Sequence, residues 1–121
     1  MNDPLIKEAV HEILRNEKSP LHRGDIVTRL RTSMPHLQRC MFSTVERRVK
    51  EAINALILEG VPVVSDGQDG FRIAKGKQEV EAAARKLKKA GISMLTRASR
   101  LEGIPLERTM HQAALEFGGG A

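Results

Sequence analysis

Apolar residues recur at three- and four-residue intervals through most of the chain, and that spacing predicts helices. The first runs from Pro4 to about Asn16, with Leu5, Ile6, Ala9, Val10, Ile13 and Leu14 on its apolar side. Asp3 is placed to cap it, and Pro4 suits the first helical position, where an amide hydrogen has no partner anyway. Ser19-Pro20-Leu21 interrupts the period, and a residue before proline avoids the helical region, so this piece is expected to be extended. A second helix is predicted to begin in His22-Arg23-Gly24-Asp25, to point Ile26, Val27, Leu30 and Met34 inward, and to stop at Pro35. After the connection PHLQRCMF, a third helix starts at a Ser43 or Thr44 cap, and Ser43 with Glu46 matches the capping-box pattern. Its inward positions are Val45, Val49, Ala52, Ile53 and Leu56, with Gly60 as the C-terminal cap.

Behind Gly60 the helical period stops. VPVV and FRIA predict strands near 61–65 and 70–74, joined by the turn Asp66-Gly67-Gln68-Asp69-Gly70, and Pro62 suits an edge position. Such a hairpin is marginal alone, so it is expected to pack on helices. Helical spacing resumes from Lys77 to Leu101 and ends at Gly103-Ile104-Pro105. A short amphipathic fifth helix carries Leu106, Met110, Ala113, Ala114 and Phe117, and residues 118–121, GGGA, read as a disordered tail. The expected fold class is mainly α with one β-hairpin (α+β). Residues 1–76 form its main domain and 77–117 a C-terminal helical extension.

A chain of 121 residues suits one domain with an appended element. Three Phe and no Trp or Tyr leave an aliphatic core, and they argue against a single-strand binder, which stacks bases on aromatic rings. The net charge of +5 favours polyanionic partners, nucleic acid first among them. One cysteine, Cys40, excludes an internal disulfide and fits a reducing compartment. No apolar run approaches the ~18 residues of a membrane span. The amphipathic, acidic N-terminus MNDPLIKEAVHEIL lacks the pattern of a secretion signal, so no membrane association and a cytoplasmic location are expected. His36 and Cys40 are spaced i,i+4, but no four-ligand pattern exists and no metal is expected. No phosphate-binding or dinucleotide-binding glycine motif occurs, and no acid–base pair stands out. No enzyme, no cofactor and no small-molecule effector are therefore expected.

The order helix, extended piece, helix, helix, hairpin, helix is that of a winged helix. Within INALILEGVPVVSDGQDGFRIAKG, the residues Leu56, Gly60, Val61, Pro62, Val63, Gly70, Phe71 and Ile73 carry the likeness. The segment resembles the winged-helix domains at the N-terminus of biotin-operon-type repressors and related small bacteriophage proteins, and SPLHRGDIVTRL resembles their second helix with its extended lead. The resemblance covers residues 3–76 and is structural, not catalytic. It implies that the third helix enters the major groove and that the hairpin touches the backbone or minor groove. The connection SMPHLQRCMF departs from the usual turn of three or four residues, and is long enough for a short helical turn of its own.

The side chains support the same expectation independently. With the apolar residues of the third helix turned inward, Ser43, Arg47, Lys50, Glu51 and Asn54 point outward, with Thr44 and Arg48 on the flank. Arg and Lys reach guanine edges, Asn reads adenine, and hydroxyls at a helix start contact phosphate. Arg23, Arg39 and His36 add candidate contacts before the helix, and Gln68, Arg72 and Lys75 add them on the hairpin. Asp66 and Asp69 count against deep insertion of the turn. The plainer reading is a solvated face laced by Glu46–Lys50 or Arg47–Glu51 pairs.

A second signal lies in the long fourth helix. Val80, Leu87, Met94 and Leu101 recur every seven residues, with Ala84, Gly91 and Ala98 between them in a 4-3 alternation. This is a coiled-coil seam with one large and one small row. Homodimerisation through the C-terminal helices is expected; the alternative is packing on the chain's own core, helped by Ala83, Ala90, Ile92 and Leu95. The cluster Arg85, Lys86, Lys88 and Lys89 lies on the polar side. The functional expectation is a dimeric, sequence-specific double-stranded DNA binder that regulates transcription or serves phage or plasmid replication. The alternative is a winged helix that binds polymerase or a replication protein without reading DNA.

Overall fold

The computed structural model describes residues 3–65 and 70–118 of the chain. Their order is α1 (Pro4–Arg15), β1 (Leu21–His22), α2 (Arg23–Ser33), a 3-10 helix (Pro35–Arg39), α3 (Phe42–Leu58), β2 (Val63–Ser65), β3 (Gly70–Ile73), α4 (Lys77–Glu102) and α5 (Leu106–Phe117). The chain is thus mainly helical with a small antiparallel sheet. It divides into two compact units, Met1–Val80 and Glu81–Ala121. The division falls inside α4 and not before it, because Glu79 in the first turn of α4 is tied back to the sheet.

In the first unit, Ile6, Val10 and Leu14 of α1, Ile26, Val27 and Leu30 of α2, and Val45, Val49, Ala52, Ile53 and Leu56 of α3 make one aliphatic core. Leu5 does not join it; it is largely exposed. The Asp3 carboxylate caps α1 by accepting from the Leu5 amide at 2.9 Å. His22 caps α2 in an unexpected way, its Nδ1 accepting from the Gly24 amide at 3.1 Å.

The long connection between α2 and α3 is built, not slack. Leu37 of the 3-10 helix plugs into the core and is 1% exposed. Arg31 Nη2 donates to the Gln38 carbonyl at 3.1 Å, and Gln38 Nε2 donates back to the Arg31 carbonyl at 3.3 Å. Cys40, half-buried, packs against the same core.

Two expectations need correction. The α3 capping box does not form: the helix opens at Phe42 with Met41 as its N-cap, and no side chain caps it. Ser43 and Thr44 are therefore the second and third helical residues, and Glu46 turns to Arg23 instead. The sheet has three strands, not a lone hairpin. Its order is β1-β3-β2, with Leu21 opposite Phe71 and Val63 opposite Ile73. The short extended piece before α2 thus covers one side of β3, and β2 with its Pro62 is an edge, as its missing amide hydrogen requires.

The exit from α3 sets where the sheet begins. Gly60 adopts φ +96°, a region costly for any residue with a Cβ. The Gly60 amide bonds to the Ile57 carbonyl at 3.0 Å and the Val61 amide to the Leu56 carbonyl at 2.9 Å. That pair of bonds is the Schellman arrangement, and Pro62 then prevents the helix from resuming.

In the second unit, Gly103 has φ +70° and ends α4, with the Ile104 amide reaching back to the Ser99 carbonyl at 3.0 Å. Ser99 and Thr109 are the buried residues of α4 and α5. No helix among the described residues is long and apolar enough to cross a membrane.

Candidate nucleic-acid interface

Six buried residues turn one side of α3 into the core, which leaves the opposite side outward. On that side Ser43, Arg47, Lys50 and Asn54 follow one another at spacings of four, three and four, and all four are exposed. At 100° per residue they occupy a single line down the helix. The line is about 16 Å long at 1.5 Å per residue. Arg48 is exposed on one flank and Thr44 half-buried beside it. Arg39, at the end of the 3-10 helix, and Lys75, after β3, are exposed as well.

Charge pairing sorts the candidate cations. Arg47 Nε lies 4.0 Å from Glu51 Oε1, and the Arg47 side chain is 70% exposed. This is the i,i+4 pair that the plainer reading anticipated, at the outer limit of contact and open to exchange for another anion. Arg48, Lys50 and Arg39 have no ion pair among the described residues.

Two other candidates, Arg23 and Arg72, are paired with carboxylates inside the fold. Arg23 Nε sits 3.3 Å from Glu46 Oε2, joining the start of α2 to the second turn of α3. The contact is one of charge only, since Nε is buried without hydrogen-bond geometry to any acceptor. Arg72 Nη1 donates to Glu79 Oε2 at 2.7 Å, joining β3 to the first turn of α4. The same carboxylate oxygen accepts from the Lys75 amide at 2.8 Å. The Arg72 guanidinium, and after it the Lys75 amide, hold the Glu79 carboxyl below the usual carboxylate range. Gln68, with Asp66 and Asp69, lies outside the described residues.

The head of α3 carries two residues that the sequence reading passed over. Met41 and Phe42 are exposed just ahead of Ser43. A Cβ added at Gly24 would lie 3.9 Å from Phe42 Cζ and 3.4 Å from His22 Nδ1, so the starts of α2 and α3 come together here. The available signal was that two large apolar residues fell outside the inward period of the helix. His36, in the 3-10 helix, is exposed.

Among the described residues no cluster of three His, Cys, Asp or Glu side chains is placed to hold a metal ion. The seam residues of α4 are placed separately. Val80, Leu87, Met94 and Leu101 are exposed, and Ala84, Gly91 and Ala98 are half-buried between them.

No protein-family profile matches the chain. No characterised protein and no solved structure matches it at a significant level.

Proposed function

We propose that the unit Met1–Val80 is a winged-helix module that binds double-stranded DNA through α3, in a protein that acts as a dimer. The observation that carries the reading is the exposed line Ser43, Arg47, Lys50, Asn54. It is the one side of α3 without core contacts, and its residue types match base edges and phosphates. Arg39, at the end of the 3-10 helix, and Lys75, after β3, add exposed cations to the same unit. Met41 and Phe42 are suited to apolar contact with a thymine methyl. Arg23 and Arg72 serve indirectly by fixing α2, α3 and the sheet. Dimerisation runs through the seam of α4, as symmetric DNA binders place two modules on two half-sites. The working compartment is the cytoplasm, and the role is regulation of transcription or a step of phage or plasmid replication.

The test is a gel-shift titration with mixed-sequence duplex across a salt series. Phosphate-driven binding weakens steeply with salt. Arg47→Ala with Lys50→Ala is expected to weaken binding at least about tenfold, the scale of one base-edge contact, with an unchanged circular dichroism spectrum. Equal affinity in parent and double variant would defeat the reading.

A second reading has one observation in its favour. Leu58, on the same outward side of α3, is 88% exposed, which suits a protein partner better than a phosphate backbone. Leu58→Ser leaves duplex binding intact under the first reading. Under the second, binding to duplex is absent from the start.

A further inference from the structure

We propose that the cationic side of α4 is a second contact for nucleic acid, one that grips the phosphates of a duplex without reading its bases. Between Glu81 and Glu102 the helix carries Arg85, Lys86, Lys88, Lys89, Arg97 and Arg100 and no carboxylate. The whole chain nets +5, so this stretch alone exceeds the charge of the molecule. All six residues are exposed, and none makes an ion pair among the described residues. At 100° per residue, Arg85, Lys86, Lys89, Arg97 and Arg100 fall within an arc of about 120°, with Lys88 about 60° beyond one edge. They form one charged side of the helix, not a scatter around it.

A side that meets only water has no use for this pattern. α1 and α3 mix their signs, and each holds a pair within the helix, Glu12 with Arg15 and Arg47 with Glu51. In α4, Arg85 and Lys89 are four residues apart, and Lys86 with Lys89 and Arg97 with Arg100 are three apart. Like charges at these spacings destabilise a helix. The helix dipole favours cations only in the last turn, which leaves Arg85 to Lys89 without its help. A polyanion removes the repulsion that the chain leaves uncompensated. From Arg85 to Arg100 the helix rises about 22 Å, a length over which a DNA duplex presents about thirteen phosphate charges. Between Glu81 and Glu102 there is no aromatic side chain to stack a base and no Asn or Gln to read adenine, so phosphate is what this side can hold. The choice of a duplex rests on the reading of α3 above; the choice of a polyanion does not. An anionic membrane is the competing partner. A helix lying in a membrane buries large side chains across its apolar face, and here that face carries Ala84, Gly91 and Ala98 and no aromatic residue.

The experiment titrates the full chain with mixed-sequence duplex across a salt series. In the quadruple variant Lys86→Gln, Lys89→Gln, Arg97→Gln, Arg100→Gln, the slope of log affinity against log salt is expected to become shallower by about 3 to 4, at about 0.9 per phosphate contact. Affinity at low salt falls more than about tenfold. The circular dichroism spectrum stays unchanged, because glutamine is as good a helix former as lysine. The variant Lys86→Arg with Lys89→Arg keeps the charge and therefore the parental slope. A parental slope in the quadruple variant overturns the inference, and the α3 reading survives that result if Arg47→Ala with Lys50→Ala weakens binding in the same series. The reverse pattern, a loss with the quadruple variant and none with the α3 pair, upholds the α4 contact and defeats the α3 reading. A parent that ignores duplex but co-sediments with phosphatidylserine vesicles assigns this side to lipid. A parent that binds neither leaves it to water, and both of these results overturn the inference.

Discussion

Gly60 holds φ +96° at the end of α3, and any Cβ there strains the backbone whatever space surrounds it. Gly60→Ala is expected to lower stability to urea by about 1–2 kcal/mol, the scale of the left-handed penalty. That role could be read in advance, because a glycine closing a run of inward residues and followed by Val-Pro has little else to do. Leu37 is the opposite case. Its segment PHLQRCMF has no period to mark an inward side, yet Leu37 is fully buried. Leu37→Ala is expected to lower stability by about 2–5 kcal/mol in the same measurement. Arg23 was equally opaque, since its partner Glu46 is brought near only by the crossing of α2 and α3. Local spacing cannot encode which carboxylate a distant helix will present.

The elements themselves were legible wherever their pattern is long. α1, α3 and α4 each repeat their apolar period over three turns or more, which outweighs local ambiguity. β1 was legible only as an extended piece before α2, because two residues offer no alternation and its pairing with β3 depends on the tertiary fold. The α3 cap differs from the expected one because Ser43 and Thr44 both suit a helix start, while the backbone turns into the helix sooner, with Met41 as the N-cap two residues before Ser43. Ion pairs between elements carry a pH signature. Glu17 accepts from Arg29 Nη1 at 2.8 Å, and this bond first of all holds its carboxyl below the usual range. Glu79 is held low by Arg72. A folded-state value below the unfolded one means that both pairs stabilise fully above the ordinary carboxylate range. Their contribution is lost as pH falls through the lowered folded values. Melting temperature is therefore expected to stay level above about pH 6 and to decline in acid, the decline being shallower in the Glu17→Gln, Glu79→Gln double variant. Arg23→Ala is expected to change stability by up to about 1 kcal/mol without altering the salt dependence of duplex binding. Arg47→Ala should do the reverse.

For the whole molecule, the two compact units divide the charge unevenly. Between Glu81 and Glu102 the chain holds six cations and no carboxylate, whereas the first unit mixes both signs and leaves its excess largely on and around α3. The line along α3 was predictable from spacing, as its inward residues fix which side remains. The division of labour among the cations was not, because Arg23 and Arg72 differ from Arg47 only in what the fold sets beside them. The two-residue strand β1 has its own consequence. About fifty residues of chain separate Leu21 from Phe71, and β3 must be brought to β1 across that span before the rung can close. Loop closure over such a span is entropically slow to find, while the helices it spans form from near neighbours. Refolding followed by pulsed amide exchange should therefore protect α3 early and the Leu21–Phe71 rung last, making this clasp the final stitch of the first unit.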